Sequence, residues 1–298
     1  MKLLVLSSDS EIASTKALVS AAKAHNLDVE VANPLDIHFE FSAKSSTFFL
    51  KSKKLTKPDL VIPRFGWKTL SYGLRVAQAF AATGIPVINS PESLQKSSDK
   101  LTSLIEFHAA ELPHPLTQFA DTSIDSKFHL LPLKGKKRSS AKTPQVFKLL
   151  SGSQGFGVTM TETLAQAQAQ ADAYRNIPTS FFTQEFLNEV RQGDYRAFVI
   201  DGKVVAAMKR KPAPGDFRAN LHQGATAQKT NLTPKEIKLA EQASQVMGLY
   251  YAGVDFIRTS KGPMLLEANG FPGFEGITQL TKINVADLLI QNLKAQFL

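Results

Sequence analysis

The first ninety residues alternate between short apolar runs and longer stretches with helical spacing. Apolar runs at residues 2–6, 29–32 and 59–63 predict buried strands. Residues 12–25 and 70–82 carry apolar side chains at the three- and four-residue spacing of an amphipathic helix. Because strands that alternate with helices assemble into parallel sheets, this part of the chain is predicted to be a small doubly wound α/β domain.

Two local signals and one absent motif refine this picture. Ser8 and Glu11 have the spacing of a capping box, which predicts that the first helix begins there. A fourth strand is predicted at residues 85–89. No Gly-x-Gly-x-x-Gly turn follows the first strand, so no dinucleotide site is predicted in this domain.

The rest of the chain mixes strands and helices without a regular alternation. An amphipathic helix is predicted at residues 97–110, and Asp201-Gly202 is the two-residue turn of a predicted hairpin. Further strands are predicted at 145–150, 181–186, 195–200, 203–209, 252–259 and 264–268, and further helices at 233–247 and 285–295. We therefore expect an α+β half after the α/β domain, with domains at residues 1–95, 96–183 and 184–298.

The positive charge of the chain is concentrated in two places. Lys and Arg number 35 and Asp and Glu 26, a net charge of +9 that by itself suggests a nucleic-acid-binding protein. Residues 41–58 carry five lysines and no acid, and residues 134–142 carry five bases and no acid. Removing these ten bases from the 35 leaves 25 against 26 acids. The basicity is therefore two local features on a nearly neutral body, and we expect no direct contact with nucleic acid.

Composition excludes several classes of protein. The chain has no cysteine, which removes disulfides, thiolate metal sites and thiol nucleophiles. Its six histidines show no i,i+4 pair or other cluster typical of a zinc site. No apolar stretch approaches the ~18 residues that cross a bilayer, and the start of the chain has no signal-peptide pattern. We expect a cytoplasmic protein without membrane contact.

A glycine-rich segment at residues 148–158 lies between two strand-like runs. Its glycines, Gly152, Gly155 and Gly157, suit a hairpin that folds over phosphates and donates backbone N–H groups to them. Lys148 would supply a cation to the same phosphates. The segment is not a P-loop, because no Gly-Lys-Ser/Thr follows. A plain flexible hairpin is the alternative for this stretch alone.

Acidic residues on two predicted strands form a second candidate site. Glu267 and Asn269 are two residues apart, so they share one face of their strand. Asp255 joins that face if the loop between the strands holds an odd number of residues, whereas an even loop would break the arrangement. Two carboxylates and an amide oxygen suit Mg²⁺. The alternative is ordinary edge-strand polar residues, although acids inside apolar strands need a cation or a donor.

A third group of charged residues lies on and after the predicted hairpin. Arg218 and Asn220 alternate on one face, where they could bind phosphate oxygens. Arg210 belongs to a Lys-Arg-Lys triplet at residues 209–211. Taken alone, such a triplet is typical of a solvated surface, so its role depends on what surrounds it.

Eight motifs follow one another along nearly the whole chain. They are Ser98-Asp-Lys100; Lys148 with Gly152-Ser-Gln-Gly-Phe-Gly157; Gln184-Glu185-Phe186; Gly193-Asp194-Tyr-Arg196; Ala207-Met-Lys-Arg210; Gly215-Asp-Phe-Arg218-Ala-Asn220-Leu-His222-Gln-Gly224; Ala252-Gly-Val-Asp255; and Leu266-Glu267-Ala-Asn269. In this order they resemble the RimK-type glutamate ligases of the ATP-grasp superfamily. The resemblance implies an ATP-grasp fold, α/β and α+β, with an N-terminal doubly wound, Rossmann-like pre-ATP-grasp domain.

The resemblance also implies a site for ATP between the central and C-terminal subdomains. Its implied parts are a phosphate-binding set (Lys100, Lys148, Gly152, Gln154, Gly155, Gly157), a hinge strand against adenine (Glu185, Phe186), a carboxylate on the sugar side (Asp194) and a phosphate channel (Arg218, Ala219, Asn220). Asp255, Glu267 and Asn269 would hold two Mg²⁺ ions, with Mn²⁺ as the alternative metal. Arg210 is the implied group for the acceptor carboxylate or the acyl phosphate, and Arg218 is the second implied catalytic residue.

The implied reaction joins an acid to an amino acid. An acceptor carboxylate takes the γ-phosphoryl group of ATP, and an amine then displaces phosphate from the acyl phosphate. Cations and metals stabilise the charge that develops in both steps. The implied partners are glutamate, the C-terminus of a ribosomal protein or an acidic peptide, and further copies of the chain in a tetramer. The alternatives are a ligase for a small metabolite or carrier protein, and an inactive ribosome- or RNA-binding protein.

Two features depart from the family pattern. After Asn269 the family commonly has Ala-Ser-Pro-Gly, whereas this chain has Gly270-Phe-Pro-Gly273, so an aromatic ring replaces a hydroxyl where the amino acid should approach. The basic run at residues 134–142 replaces a more acidic or neutral connection. Steering of an acidic acceptor and a solvated loop are both open interpretations of that run.

Overall fold

The described residues form four sheets, two in the N-terminal part, one in the centre and one at the C-terminus. The structure is a computed structural model and describes residues 1–119, 144–150, 155–174, 180–221 and 224–298. The basic run at 134–142 therefore lies outside the described residues. Within those ranges, the helices are too short or too polar to cross a membrane.

Three parallel strands form the centre of the N-terminal domain. Its elements are β1 (Lys2–Leu6), α1 (Ala13–Ala24), β2 (Asp28–Ala32), β3 (Ile37–Phe41), β4 (Ser46–Leu50), β5 (Lys53–Lys54), β6 (Leu60–Pro63) and α2 (Leu70–Ala82). Strands β2, β1 and β6 lie side by side in that order, all parallel. Leu3 and Val5 of β1 belong to the core that includes α1, and Leu4 and Leu6 belong to the core that includes α2. Helices cover both faces, which confirms the doubly wound prediction.

A second, antiparallel sheet of β3, β4 and β5 packs beside the first and was not predicted from the sequence. Phe39 pairs with Phe48 across β3 and β4, and the ring of Phe48 stacks on Phe80 of α2 with 4.1 Å between centroids. The lysines of residues 41–58 occupy exposed positions of this sheet and its loops. Within β3 apolar and polar side chains alternate, which was an available strand signal, whereas β4 and the two-residue β5 show no such alternation.

The strand predicted at residues 85–89 is wrong. This segment makes only one isolated bridge, between Val87 and Val61 of β6. Pro86 has no N–H to donate, so a regular ladder cannot continue through it. The segment still runs parallel to β6 and adds buried apolar side chains, Ile85 and Val87, to the core beneath α2.

The capping box predicted at Ser8 and Glu11 is also wrong. Helix α1 begins at Ala13, and its N-terminus has no side-chain cap. The backbone N–H of Glu11 instead donates to Oδ1 of Asp9 at 2.8 Å. Asp side chains form such local turns readily, and this turn delays the start of the helix.

Three helices and a four-stranded antiparallel sheet make up the described part of the centre of the chain. The elements are α3 (Pro91–Ser98), α4 (Lys100–Ala109), β7 (Thr117–Gln118), β8 (Gln145–Leu149), β9 (Val158–Thr161), α5 (Leu164–Tyr174) and β10 (Phe181–Glu185), and the strand order is β7-β10-β8-β9. The single helix predicted at 97–110 is wrong at its start. Asp99 accepts hydrogen bonds from Leu101 N and Thr102 N and so begins a separate helix after α3.

The C-terminal part is a five-stranded antiparallel sheet with three helices. Its elements are β11 (Asp194–Ile200), β12 (Lys203–Lys211), β13 (Thr226–Lys229), α6 (Pro234–Val246), β14 (Tyr251–Thr259), β15 (Gly262–Asn269), α7 (Glu275–Thr281) and α8 (Val285–Phe297), in strand order β13-β12-β11-β14-β15. Asp201 and Gly202 both have positive φ and close the β11–β12 hairpin, as predicted. Thr233 and Glu236 form a capping box at the start of α6.

The two faces of this sheet pack against different layers. Ala197 and Val199 share a core with residues of α6. Phe198 and Ile200 share a core with residues of α8 and of α1 in the N-terminal domain. The second face is therefore the one that meets the N-terminal domain, and any polar residues on it lie near that contact.

Asn89 and Tyr251 fasten the N-terminal domain to the C-terminal sheet. The amide of Asn89 is buried; its Nδ2 donates to the carbonyls of Tyr251 and Gly270, and its Oδ1 accepts from Tyr251 N. The hydroxyl of Tyr251 donates to the carbonyl of Pro63 at the end of β6. The carboxyl ends of the N-terminal strands thus face the C-terminal sheet.

Candidate active site

Asp255 and Glu267 lie directly opposite each other on β14 and β15. The loop between the strands is the pair 260–261, an even number that by itself would put the two carboxylates on opposite faces. Leu266 is left unpaired as a one-residue bulge, and this shift restores the pairing of Asp255 with Glu267. The shared face was predicted correctly, but the odd loop proposed to produce it is wrong.

Two arginines hold the buried carboxylate of Asp255. Arg196, opposite it on β11, donates from Nε and Nη2 to its two oxygens, each at 2.7 Å. Arg210 of β12 donates from Nη2 to Oδ2 of Asp255 at 2.7 Å, and from Nε and Nη2 to both oxygens of Asp194. Nη2 of Arg196 also lies 3.8 Å from Oε1 of Glu267. These five side chains are called the ionic cluster.

Burial and neighbouring charge determine the protonation states in the ionic cluster. Burial by itself raises the pKa of Asp255, but Arg196 and Arg210 outweigh it and hold the pKa well below its ordinary value. Burial also raises the pKa of Asp194, and Arg210 reverses only part of that shift. Burial lowers the pKa of Arg210, yet Asp255 and Asp194 together raise it above the ordinary value. Asp255 is therefore ionised and Arg210 charged at neutral pH.

The two lysines expected at the phosphates lie close to Glu267. Burial lowers the pKa of Lys148 on β8 to about 8; the carboxylate of Glu267 opposes this shift, and Lys100 adds to it. Burial likewise lowers the pKa of Lys100 at the first position of α4, again against the effect of Glu267. Residues from three parts of the chain therefore converge on one carboxylate, as expected for a single site.

Strands β8 and β9 pair as the predicted hairpin, whereas phosphate binding by its glycines stays a prediction. Gly152 and Gln154 lie outside the described residues, whereas Gly155 and Gly157 follow them at the start of β9, both with positive φ. A Cβ at Gly157 would lie 2.7 Å from Cδ1 of Leu149. Both its φ and this close approach therefore require glycine at position 157.

Arg218 connects this hairpin to the loop that follows β12. Its Nη1 donates to the carbonyl of Gly155 at 3.3 Å, and its Nε and Nη2 donate to the carboxylate of Asp216. These hydrogen bonds lower the pKa of Asp216 to about 2. Next to Arg218, Ala219 is buried and Asn220 is half-buried. The predicted phosphate-channel residues therefore sit against the glycine-rich hairpin.

An open cleft of about 610 Å³ separates β9 from this loop. Met160 and Phe217 contribute apolar walls, and Arg218 contributes a cation. The ring of Phe186, just after β10, meets Phe217 edge-on with 5.9 Å between centroids. The cleft thus has an apolar side near the predicted hinge and, near the glycine-rich hairpin, the ion pair of Arg218 with Asp216.

The predicted hinge residues have further contacts. Glu185, the last residue of β10, accepts a hydrogen bond at Oε1 from Leu116 N at 2.9 Å. The guanidinium of Arg191 lies 5.2 Å from the ring centroid of Phe186, which is buried. These contacts fix the hinge against its surroundings. The assignment of both residues to adenine stays a prediction.

The loop after β15 approaches the N-terminal domain. Asn269 accepts a hydrogen bond at Oδ1 from Phe271 N at 2.8 Å. The ring of Phe271 lies 5.1 Å from the ring of Phe65, which follows β6. The aromatic residue that departs from the family pattern therefore packs on the N-terminal domain.

Two arginines of this region were given no role from the sequence. Arg196 is two residues from Asp194 on β11, so their shared face could have been inferred from strand periodicity. Arg64 is 9% exposed; its Nη2 donates to Oγ of Ser14 at 2.9 Å, and its guanidinium lies 5.4 Å from the ring centroid of Phe274. Arg64 directly follows a buried parallel strand, and this position could have marked it as a candidate site residue, because functional groups lie at the carboxyl ends of such strands.

The residues predicted to bind metal fit a hard divalent cation. Asp255, Glu267 and Asn269 supply two carboxylates and an amide oxygen, and Glu267 is half-exposed. In the part of the chain that the structure describes, no three His, Cys, Asp or Glu side chains gather as a metal site, which leaves the third ligand to an amide. Arg196 and Arg210 already neutralise Asp255, so a cation would compete with them for its oxygens.

Two family models match the chain and identify its family. The RimK PreATP-grasp domain model matches residues 1–94, and the RimK-like ATP-grasp domain model matches residues 79–293. The chain belongs to the RimK-like ATP-grasp family. Because the two matches of this RimK-like protein overlap, the domain boundaries at 95 and 183 stay predictions.

Relatives of the RimK-like protein have similar length. It is 37% identical over 291 residues to "Probable alpha-L-glutamate ligase 2" of Shewanella sp. (strain W3-18-1), an alignment that covers 98% of this chain and 94% of the relative. It is 36% identical over 291 residues to "Probable alpha-L-glutamate ligase" of Coxiella burnetii (strain Dugway 5J108-111), with the same coverage. The predicted family is therefore confirmed.

Solved structures confirm the ATP-grasp fold. The ATP-grasp ligase PsnB, complexed with minimal precursor, superposes with a TM-score of 0.71 at 18% identity and covers 99% of both chains. D-alanine–D-alanine ligase from Bacillus anthracis, complexed with ATP, superposes with a TM-score of 0.70 at 13% identity, over 100% of this chain and 97% of that one. Together with its family, the fold identifies the RimK-like protein as an ATP-dependent ligase that forms carbon–nitrogen bonds.

Proposed function

We propose that this ligase adds glutamate to a carboxylate of a protein or peptide acceptor through an acyl phosphate. The observation that carries the proposal is the pairing of Glu267 with Asp255 beside Arg196 on one face of the sheet. The charge of Glu267 also acts on the pKa of Lys100 and of Lys148. A carboxylate pair flanked by cations on one face suits phosphoryl transfer, where charge on the transferred oxygens must be stabilised. The names of the relatives support glutamate as the amino acid.

Asp255, Glu267 and Asn269 would hold Mg²⁺, as two ions, with Mn²⁺ as the alternative. When bound, the metal would neutralise charge on the phosphate oxygens and hold them in place. The same three residues lie on adjacent strands of one sheet, so their backbone positions are fixed before any ligand binds. That rigidity supports a preorganised site.

The chain's own cations would orient the phosphates of ATP. Lys100 and Lys148 approach from the side of Glu267, and Arg218 approaches from the loop after β12. The backbone N–H groups of the glycine-rich hairpin would add donors with no side chain in the way. Glu185 and Phe186 would contact adenine, and Asp194 would act on the sugar side.

Arg210 and Arg196 are suited to hold the acceptor carboxylate. Arg210 is 4% exposed, and its Nε and Nη2 are bonded to Asp194 and Asp255. Its Nη1, like that of Arg196, makes no hydrogen bond to the other described residues. Each guanidinium could therefore donate from Nη1 to a substrate oxygen while its other nitrogens keep it in position.

The proposed reaction has two bond-forming steps. An oxygen of the acceptor carboxylate bonds to the γ-phosphorus of ATP, and the bond to the bridging oxygen breaks, so that ADP leaves. The amine of glutamate then bonds to the acyl carbon; phosphate leaves with the electron pair of the broken C–O bond, and the amine proton passes to phosphate or water. Lys148, Arg210 and Arg218 would stabilise the oxygens on which charge develops.

The acceptor is proposed to be the C-terminus of a ribosomal protein or a similar acidic peptide. A macromolecular acceptor would explain why five lysines in residues 41–58 cluster far along the sequence from every site residue. Assembly as a tetramer, which the resemblance implies, and the cytoplasmic location expected from the composition belong to the same proposal.

Phosphate release tests this function. Purified protein is incubated with ATP, Mg²⁺ and an acidic acceptor peptide, and each amino acid is added singly. Release that depends on glutamate supports the proposal, and dependence on another amino acid would reassign the substrate. Absence of release with every amino acid and acceptor would favour an inactive binding protein.

A further inference from the structure

A second cavity, of about 450 Å³, lies in the N-terminal domain. Its floor is apolar: Phe48, Leu55 and Phe80 are buried there, and Phe48 stacks on Phe80. Its rim is polar and carries the exposed side chains of Lys54 and Lys57. The volume falls in the range of about 300–1,000 Å³ that is usual for ligand pockets.

The rim has positive charge and unused hydrogen-bonding groups. No acidic side chain lines the cavity. Neither Lys54 nor Lys57 forms a salt bridge with a carboxylate in the described ranges of the chain. The hydroxyls of Thr47 and Thr56 also line it and make no hydrogen bond to other described residues. A ligand with carboxylates and backbone amides would satisfy all of these groups.

The cavity lies at the opposite end of the N-terminal sheet from the ionic cluster. Two of its lining residues, Pro58 and Ile85, precede β6 and its bridge partner Val87. The carboxyl end of β6 instead leads to Arg64, which stacks on Phe274 of the C-terminal part. A strand as short as β6 spans ~13 Å, so the part of a ligand that fills the cavity cannot itself touch the reacting groups.

We propose that this cavity is a docking site for an acidic segment of the acceptor polypeptide. The proposal rests on the function proposed above, since it requires a macromolecular acceptor. Lys54 and Lys57 bind carboxylates of the segment, and an apolar side chain enters the cavity above Phe48. A nucleic acid fits less well, because the rings of Phe48 and Phe80 stack on each other and are not free to stack on bases.

Only a long acceptor can occupy the cavity and reach the ionic cluster at the same time. A peptide that fills the cavity and reaches the ionic cluster needs about five or more extended residues between the two points. Shorter acceptors can reach only the active site. Docking therefore raises the effective concentration of a long acceptor at the ionic cluster and leaves a short one unaffected.

Binding of a defined probe tests the docking site without any turnover. The probe is a fluorescein-labelled Glu-Glu-Leu-Glu-Glu peptide whose C-terminus is amidated, and its anisotropy is measured with the full chain. The double substitution Lys54→Glu and Lys57→Glu is compared with Lys44→Glu and Lys53→Glu, which make the same charge change in the same run but outside the cavity. We expect about tenfold weaker binding for the first pair and less than about twofold for the second.

Three results would overturn the docking site. Equal weakening by both pairs would show attraction by the basic run as a whole, and no weakening by either would show that the cavity is not used. Replacement of the central leucine of the probe by serine is expected to weaken binding at least about threefold, since the apolar floor would lose its contact. Unchanged binding of that peptide would also contradict the proposal.

Kinetics then connect docking to the reaction. For the Lys54→Glu, Lys57→Glu protein, we expect kcat/KM to fall about tenfold with a twelve-residue acidic acceptor and to stay unchanged with a dipeptide acceptor. Equal effects on both acceptors would contradict docking. If the unsubstituted protein shows no ligation but still binds the probe, the proposed function is contradicted and the docking site is not.

Discussion

Replacement of Arg210 by Met tests whether the ionic cluster is a buried unit in which each charge depends on the others. Arg210 is 4% exposed, and its guanidinium makes three hydrogen bonds of 2.7 Å, two to Asp194 and one to Asp255. Met preserves the length and apolar stem of the side chain but removes the charge. Asp255 would keep Arg196, whereas Asp194 would lose both of the hydrogen bonds that the described residues supply to it.

The expected effect is a large loss of stability. Removing one partner of a buried ion pair costs about 3–5 kcal/mol, because the remaining charge is left in a poorly solvated place. That is a large fraction of the ~5–15 kcal/mol that usually separates folded from unfolded protein. We therefore expect a marked fall in the urea concentration at the midpoint of unfolding, followed by far-ultraviolet circular dichroism.

The effect should also depend on pH in a defined direction. Burial raises the pKa of Asp194, and the variant lacks the arginine that opposes this shift. A carboxyl whose pKa is raised in the folded state binds more protons there than in the unfolded chain, so stability rises as pH falls toward the unfolded value of about 4. The loss in the Arg210→Met protein should be smaller at pH 6 than at pH 8.

Two further proteins control this experiment. Lys16→Met removes the charge from a lysine that is paired with Glu11 at the surface, where the two side chains are 55% and 71% exposed, and a loss of at most ~1 kcal/mol is expected. Adding Asp194→Asn to Arg210→Met removes the stranded carboxylate and should recover part of the stability. A cost of Arg210→Met no greater than that of Lys16→Met, or no recovery with the second substitution, would contradict a mutually dependent ionic cluster.

Two more predictions concern the nucleotide site. Because the pKa of Lys148 is lowered to about 8, KM for ATP should be constant below pH 8. Above pH 8 the cation is lost, and KM should rise by up to about tenfold per pH unit. Lys148→Arg should flatten this pH profile, and an identical rise in that variant would contradict the assignment of Lys148 to the phosphates. Gly157→Ala should raise KM for ATP, since φ is +74° and a Cβ would lie 2.7 Å from Leu149. Gly84→Ala, at φ +76° with nothing within 4 Å and far from the cleft, is its control and should leave KM unchanged; equal KM values for the two variants would contradict a special role for position 157.

Elements with strong local signals were predictable from the sequence. Helix α2 begins and ends where its apolar spacing indicates, and the Asp201-Gly202 turn joins β11 to β12 as its composition indicates. In both cases the decisive physics lies within a few residues, in helical periodicity and in backbone angles that glycine permits. The alternating residues of β3 were an available strand signal, whereas β4 and β5 carry none, and their pairing was needed to reveal the second sheet.

Four of the five residues of the ionic cluster were predicted as site residues from the sequence, but Arg196 and the contacts among the five were not. Asp255 and Glu267 share a face through the bulge at Leu266, and a one-residue shift of register leaves no trace in an apolar strand. The hydrogen bonds from Arg196 and Arg210 to Asp255 join residues 59 and 45 positions apart. Such contacts depend on strand order, which periodicity does not report.

Transfer of isotopically labelled oxygen shows whether the acceptor carboxylate becomes an acyl phosphate. An acceptor peptide whose C-terminal carboxylate carries heavy oxygen is incubated with ATP, Mg²⁺, glutamate and the protein, and both products are analysed by mass spectrometry. We expect a peptide extended by glutamate and one heavy oxygen in the released phosphate, with both products lost in the Glu267→Gln protein. An extended peptide with unlabelled phosphate would contradict the acyl phosphate, and full activity of Glu267→Gln would contradict the site.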